Sequence, residues 1–175
     1  MQALLVLDVV NAIFELPVPL HDADGFVERV RGLLERARAK GVPVVYFRHV
    51  GLEGSLFAPG ARGRELDARV AAVAGEIVID KREPDMFVGT RLAELLGERG
   101  VDEVVICGFS TEGCVDTTVR SAWAKGFRVV LASGAHTTTA NPVLSGEQIV
   151  KHHDLVLARF ARVVPAAEVV FASRE

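Results

Sequence analysis

At 175 residues, half of them hydrophobic and a quarter charged, the chain has the composition of one globular domain, expected over 1–175, and is too short for two of comfortable size. A formal net charge of −3 with no long run of like charge argues against nucleic acid as a partner. No apolar stretch approaches the ~20 residues that span a bilayer. The start, MQALLVLDVV, lacks the basic region and small-residue cleavage site of a secretory leader, so no membrane partner and a cytoplasmic location are expected.

The first element, ALLVLDV (3–9), is a continuous apolar run, the pattern of a strand buried on both faces. From Asp24 to Lys40, the residues Phe26, Val30, Leu33, Leu34 and Ala37 share one helical face, and Gly41 stands where a C-cap is needed. VPVVYFR (42–48) predicts a second strand, and Val50 to Gly63 a glycine-rich loop. Residues 64–74 are amphipathic enough to predict a helix, EIVID (76–80) a third strand, and Thr90 to Arg99 a helix stopped by Gly100. VDEVVIC (101–107) is the fourth strand. Thr111 is placed to cap a helix from Glu112 to Lys125, and FRVVLA (127–132) is the fifth strand. Ser145 to Gln148 has the spacing of a capping box opening a helix to Ala158, and ARVV (161–164) predicts a sixth strand. Strand and helix alternating in this way predict an α/β fold with a parallel sheet and helices on both faces.

Two cysteines, Cys107 and Cys114, cannot make a disulfide framework and have no histidine at zinc-site spacing. Cys107 lies inside an apolar run and reads as core. Of the 20 Lys and Arg residues, only Lys40, Lys81, Lys125 and Lys151 are lysines. Open parallel sheets bind ligands at the carboxyl ends of their strands, where strand order reverses. Asp8 after the first strand, Lys81 after the third and Cys114 after the fourth are candidates to meet there.

Cys114 sits in GFSTEGCVDTT (108–118), after a loop and at a helix start. A thiol attacks a carbonyl only as thiolate, and a helix N-terminus favours the anion, lowering a cysteine pKa from about 8.5 to as little as ~3.5–7.5. Loop N–H groups could hold an oxyanion. Asp8 could move the thiol proton, and Lys81 could hold the carboxylate and thiolate by charge. Each residue also has a plainer reading: a loop carboxylate, an exposed lysine, a buried inert thiol. Residue type alone leaves these open.

The blocks LLVLDVVNAIF, GVPVVYFRH, VIDKREPDMFVGT, GVDEVVICGFSTEGCVDTTVRSAWAKGFRVVLASGAHTT and SGEQIVKHH together resemble the isochorismatase-like cysteine hydrolase family, related to nicotinamidase and N-carbamoylsarcosine amidase. The resemblance covers nearly the whole chain and implies a three-layer α/β/α fold with a six-stranded parallel, Rossmann-like sheet. It implies Asp8 as general base and acid, Lys81 as the orienting cation, and Cys114 as nucleophile. It also implies a non-proline cis peptide at Phe109–Ser110, with the backbone N–H groups of Ser110 and Cys114 as the oxyanion hole. By the same resemblance Asn11 lies near Asp8, Phe14 and Phe87 line the substrate pocket, and the protein assembles as a dimer or tetramer.

The departures narrow the reading. The first motif often carries Gln where this chain has Val10, and RGREL (62–66) replaces a stretch typical of the substrate entrance. The metal cluster of nicotinamidase-like members finds only His49 here, so no metal or cofactor is expected. True isochorismatases of this fold lack the cysteine. His152 and His153 are adjacent on a helix and face different ways; His136, after the fifth strand, could approach the active site or a subunit contact, and His21 and His49 have no partner visible in the sequence. The expected activity is hydrolysis of a C–N bond in a small amide, carbamoyl or lactam compound through a thioester on Cys114. The rival is a non-hydrolytic thiol protein of the same fold, redox-responsive or ligand-binding. A nucleotide-binding reading fails because GFSTEG matches neither G-x-G-x-x-G nor a G-K-[ST] ending.

Overall fold

The computed structural model describes residues 1–172, so the last three residues of the expected domain lie outside the described residues. Six strands form one sheet: β1 (Gln2–Leu7), β2 (Val44–His49), β3 (Ile77–Lys81), β4 (Glu103–Phe109), β5 (Arg128–Thr137) and β6 (Arg162–Pro165). Their order is β3-β2-β1-β4-β5-β6, and every neighbouring pair is parallel. The α-helices are α1 (Asn11–Phe14), α2 (Ala23–Ala39), α3 (Leu92–Glu98), α4 (Asp116–Ala124) and α5 (Gly146–Leu157).

The apolar run of β1 is explained by its two faces. Leu4 and Val6 pack with Phe26, Val30, Leu33 and Leu34 of α2, whereas Ala3, Leu5 and Leu7 pack with Leu92 and Leu96 of α3 and Val119 of α4. Alternating side chains therefore fill both layers, and the sheet is the middle layer of a three-layer α/β/α fold. Helix ends follow the local chemistry. At the end of α2 the Gly41 N–H bonds the Arg38 carbonyl (3.0 Å) and the Val42 N–H the Ala37 carbonyl (2.9 Å), with Gly41 at φ +65°. Gly126 closes α4 through the same pair of bonds. Ser145 and Gln148 make the expected capping box at α5.

Three expectations differ. Residues 64–74 do not form a helix; short 3-10 turns at Arg62–Arg64 and Ala68–Val70 flank an extended stretch. That stretch binds back on the end of β1: Asn11 N–H to Glu65 O (2.9 Å), Asp67 N–H to Val9 O (3.1 Å), and an antiparallel bridge between Val10 and Leu66. These tertiary bonds take the backbone groups a helix would use for itself. Thr111 does not cap a helix; Thr111–Val115 is a π-helical turn in which the Ser110 carbonyl accepts from the N–H groups of Gly113 and Val115, both at 3.1 Å, and α4 begins only at Asp116. Finally, β5 runs on to Thr137, past Gly134 at φ +78°, whose carbonyl accepts from Arg29 Nε at 2.6 Å.

The chain runs outward from β1 through β2 to β3 and then returns to β4 on the other side of β1. The switch in direction therefore lies between β1 and β4, and the carboxyl ends of those two strands carry Asp8 and the turn that holds Cys114.

Candidate active site

Asp8 follows β1 directly and adopts φ +52°, a conformation uncommon outside glycine but accessible to Asp. Its N–H is held by the Phe47 carbonyl at 3.1 Å. Lys81 ends β3 opposite His49 of β2, and its side chain reaches inward beneath the strand ends. Lys81 Nζ lies 2.7 Å from Asp8 Oδ2 and donates to Cys114 Sγ at 3.1 Å. The Lys81 and Asp8 side chains are 1% and 4% exposed, while Cys114 is half-buried. Thus the three residues separated along the chain meet at the switch point. Phe109–Ser110, in the segment that leads to Cys114, is a cis peptide.

Burial sets the charges here. It raises the Asp8 carboxyl above its usual range despite Lys81, which pulls the other way. For Lys81, burial favours the neutral amine, but the charges of Asp8 and Cys114 outweigh it and the ammonium is held more tightly than usual. The Cys114 thiol is pushed up to about 11, first by burial and then by the Asp8 charge, with Lys81 opposing. The low thiol pKa expected from a helix start alone is opposed here: burial and the Asp8 carboxylate both push the thiol up. Cys107 is fully buried and pushed higher still by desolvation.

The three residues open on a cavity of about 280 Å³. Phe57, Pro84 and Phe109 give it apolar walls, and Ser110, His49 and Arg82 complete the lining. The His49 ring meets Phe57 edge-on, with centroids 5.7 Å apart, and burial together with Lys81 holds its pKa below the usual value. Phe57 belongs to the glycine-rich loop. That loop is fastened by Arg64, whose Nε donates to the His49 carbonyl at 3.1 Å and whose guanidinium pairs with Asp80 at 2.7 Å.

The structure does not bring the other three expected residues to this cavity. Asn11 turns to the strap instead, donating from Nδ2 to the Arg62 carbonyl at 3.2 Å. Phe14 packs against the α2-side core beneath the Arg69 guanidinium, 4.7 Å from its ring centroid. Phe87 is buried in the other layer, stacked on Phe127 at 5.8 Å. Each ring is drawn to the nearest large apolar surface, and the pocket wall is supplied by Phe57 and Phe109.

The sequence left His136 open between the active site and a subunit contact. Its ring is fully buried; Nδ1 lies 3.0 Å from Thr111 Oγ1 and Nε2 2.9 Å from Asp154 Oδ1. Ser133 Oγ donates to the other Asp154 oxygen at 2.6 Å. Burial works against the Asp154 charge, but the bonds from His136 and Ser133 hold its carboxyl below the usual range. An ionised carboxylate only accepts, so Nε2–H donates to Asp154, and in the neutral ring Nδ1 then accepts from the Thr111 hydroxyl. Thr138 Oγ1 donates to Glu112 at 2.9 Å, so the extension of β5 grips the π-turn at two successive residues. The signal available in the sequence was the string GAHTTT itself, polar residues following an apolar strand.

Among the described residues, no group of three or more His, Cys, Asp or Glu side chains is placed to hold a metal ion, and no helix is long and apolar enough to cross a membrane. The fold is a parallel α/β/α sheet with a thiol, a carboxylate and an ammonium in contact at its switch point. Residues 2–168 match the sequence model of the Isochorismatase domain, and the chain belongs to that family. It is similar to a streptothricin hydrolase of Streptomyces noursei, 41% identical over 145 residues, covering 83% of this chain and 58% of that protein. A maleamate amidohydrolase of Pseudomonas putida is 34% identical, covering 74% of this chain and 68% of that protein. A crystal structure of an isochorismatase from Pseudomonas putida KT2440 superposes with a TM-score of 0.91 at 33% identity, covering 97% of this chain and 90% of that one. The matches to two streptothricin hydrolases span 58% and 50% of those proteins' own length.

Proposed function

We propose that the protein hydrolyses a C–N bond in a small amide, carbamoyl or lactam compound through a thioester on Cys114. The observation that carries this reading is the Lys81 ammonium in contact with both Asp8 (2.7 Å) and Cys114 (3.1 Å) at the wall of a small cavity. The names of family relatives that are hydrolases and amidases support it.

Asp8 takes the thiol proton as sulfur attacks the carbonyl carbon. The new C–S bond pushes the carbonyl π electrons onto oxygen, and the backbone N–H groups of Ser110 and Cys114 are assigned to hold that oxyanion. Collapse of the tetrahedral adduct breaks the C–N bond, and the leaving nitrogen takes the proton from Asp8. Water then attacks the thioester while Asp8 accepts its proton. Expulsion of sulfur releases the acid, and Asp8 returns the proton to Cys114. Lys81 stays charged throughout and offsets whichever neighbour carries the negative charge.

The Asp8 carboxylate and Lys81 ammonium joined beside the sulfur disfavour the redox-responsive alternative, because a thiol that is only oxidised needs no proton shuttle. The test is release of amine or ammonia from a panel of small primary amides, carbamoyl compounds and lactams. Turnover by the wild type and none by Cys114→Ala is expected; full activity in Cys114→Ala overturns the proposal.

A further inference from the structure

Three arginines gather around the ends of β2 and β3, and the two that are paired share a single carboxylate. Asp80 pairs with Arg48 at 2.9 Å and with Arg64 at 2.7 Å. Arg82, two residues along from Asp80, has no carboxylate within ion-pair distance among the described residues, is exposed, and lines the cavity that contains Cys114. Within that cavity the charges of Asp8 and Lys81 already cancel across 2.7 Å. The positive field of Arg82 is also felt by His49 on the facing wall, where it is one of the charges that disfavour the imidazolium. The positive charge at these strand ends therefore exceeds what Asp80 offsets, and Arg82 brings it to a cavity whose apolar walls are Phe57, Pro84 and Phe109.

Guanidinium is the side chain best matched to a carboxylate, which it can grip with two parallel N–H donors. A cavity of about 280 Å³ takes a molecule of metabolite size. From the uncompensated charge and the small, partly apolar chamber, we infer that Arg82 is the specificity determinant of the pocket and that its substrate is a small amide carrying a carboxylate. A cationic amide meets Arg82 with like charge, and a neutral one leaves the guanidinium unused. The inference rests on the proposed role of Cys114 and adds the charge of the substrate to it.

The experiment uses two alkylating probes of similar size and different charge, iodoacetate and iodoacetamide. Their rates at Cys114 are followed by mass spectrometry in the full chain, in wild type, Arg82→Gln and Arg82→Glu. The ratio of the two rates cancels any change in thiolate fraction and is readable even for a slow thiol. Relative to a small uncharged thiol such as 2-mercaptoethanol, the wild-type ratio should favour iodoacetate. It should fall roughly fivefold to tenfold in Arg82→Gln and further in Arg82→Glu, the scale of one partly screened charge. Because Arg82 is exposed, both variants should melt with the wild type, and 0.5 M salt should shrink the wild-type preference. A ratio unchanged in both variants overturns the inference. Failure of the underlying mechanism appears elsewhere, as amide hydrolysis that survives Cys114→Ala.

Discussion

Lys81 Nζ stands 2.7 Å from Asp8 Oδ2, with both side chains almost wholly out of water. In such surroundings neither charge is stable alone, so each holds the other, and the sulfur of Cys114 at 3.1 Å from the same ammonium is drawn into the arrangement. The pair does not prepare a free thiolate. In the proposed mechanism the thiol is instead deprotonated as it attacks, with Asp8 taking the proton.

That balance has a sign that can be measured. With the thiol pushed up to about 11, alkylation by iodoacetamide should climb steadily with pH through 9 and 10 without a plateau near 8.5. Asp8 raises the thiol and Lys81 lowers it. Asp8→Asn should therefore shift the midpoint down and speed alkylation at pH 8, even as amide hydrolysis is lost. Lys81→Ala should shift the midpoint up and slow alkylation. Mass-spectrometric rates across pH 6–11 check both, and shifts in the same direction in the two variants contradict the assignment.

The hold of β5 on the π-turn makes a second prediction. Thr111→Val keeps the shape of the side chain and removes the hydroxyl that His136 Nδ1 receives at 3.0 Å. Cys114 follows three residues later in the same turn, so its aim should loosen: kcat falling roughly tenfold to a hundredfold with KM nearly unchanged. Thr111→Ser restores the donor and should recover most of the rate, an outcome that a purely packing role for Thr111 does not produce. Steady-state kinetics on any turned-over amide from the panel distinguish the two.

How much of this was legible in the sequence depended on where the determining contacts lie. The β1 run was readable because its own residues fill both layers, and the α5 cap because Ser145 and Gln148 act within one turn. Asp8, Lys81 and Cys114 could be nominated from strand ends and family resemblance, but their contact depends on the β3-β2-β1-β4 order. The helix expected at 64–74 failed because its amphipathic pattern serves an extended strap: Leu66 bridges Val10, and Asp67 binds Val9. The fifth strand was expected only to Ala132, whereas β5 runs on past Gly134, whose carbonyl is held by Arg29 from α2, far away in the sequence. His136 was obscure because its partners, Thr111 and Asp154, come from two other elements.

The aromatic residues offer a third prediction, in which stability and binding part company. Phe87 is buried and stacked on Phe127, so Phe87→Ala should cost ~3–5 kcal/mol in urea unfolding, as large aromatic truncations in cores do. Phe57 is half-buried on the cavity wall against His49. Phe57→Ala should leave the unfolding midpoint much closer to wild type and raise KM instead. The opposite pattern returns Phe87 to the pocket.

The last prediction concerns the close approach of β4 to β1 just below the site. Gly108 sits at φ +129°, and a Cβ there meets the Leu7 carbonyl oxygen at 2.1 Å and the Leu7 nitrogen at 2.7 Å. Leu7 is the buried last residue of β1, so it cannot retreat without moving Asp8, and the contact is with backbone that has no rotamer to change. Gly108→Ala therefore carries both steric overlap and an unfavourable backbone conformation, and should cost ~3 kcal/mol or more, at or beyond the upper range for overpacking. Gly97, inside α3 at ordinary helical φ with nothing within 4 Å of its added Cβ, is the matched control. Gly97→Ala should stabilise the protein by up to ~1 kcal/mol through helix propensity. Urea unfolding of the two variants should move in opposite directions. Equal behaviour means that β1 and β4 can separate without cost, and the rigid seating of Asp8 beside Cys114 then needs another source.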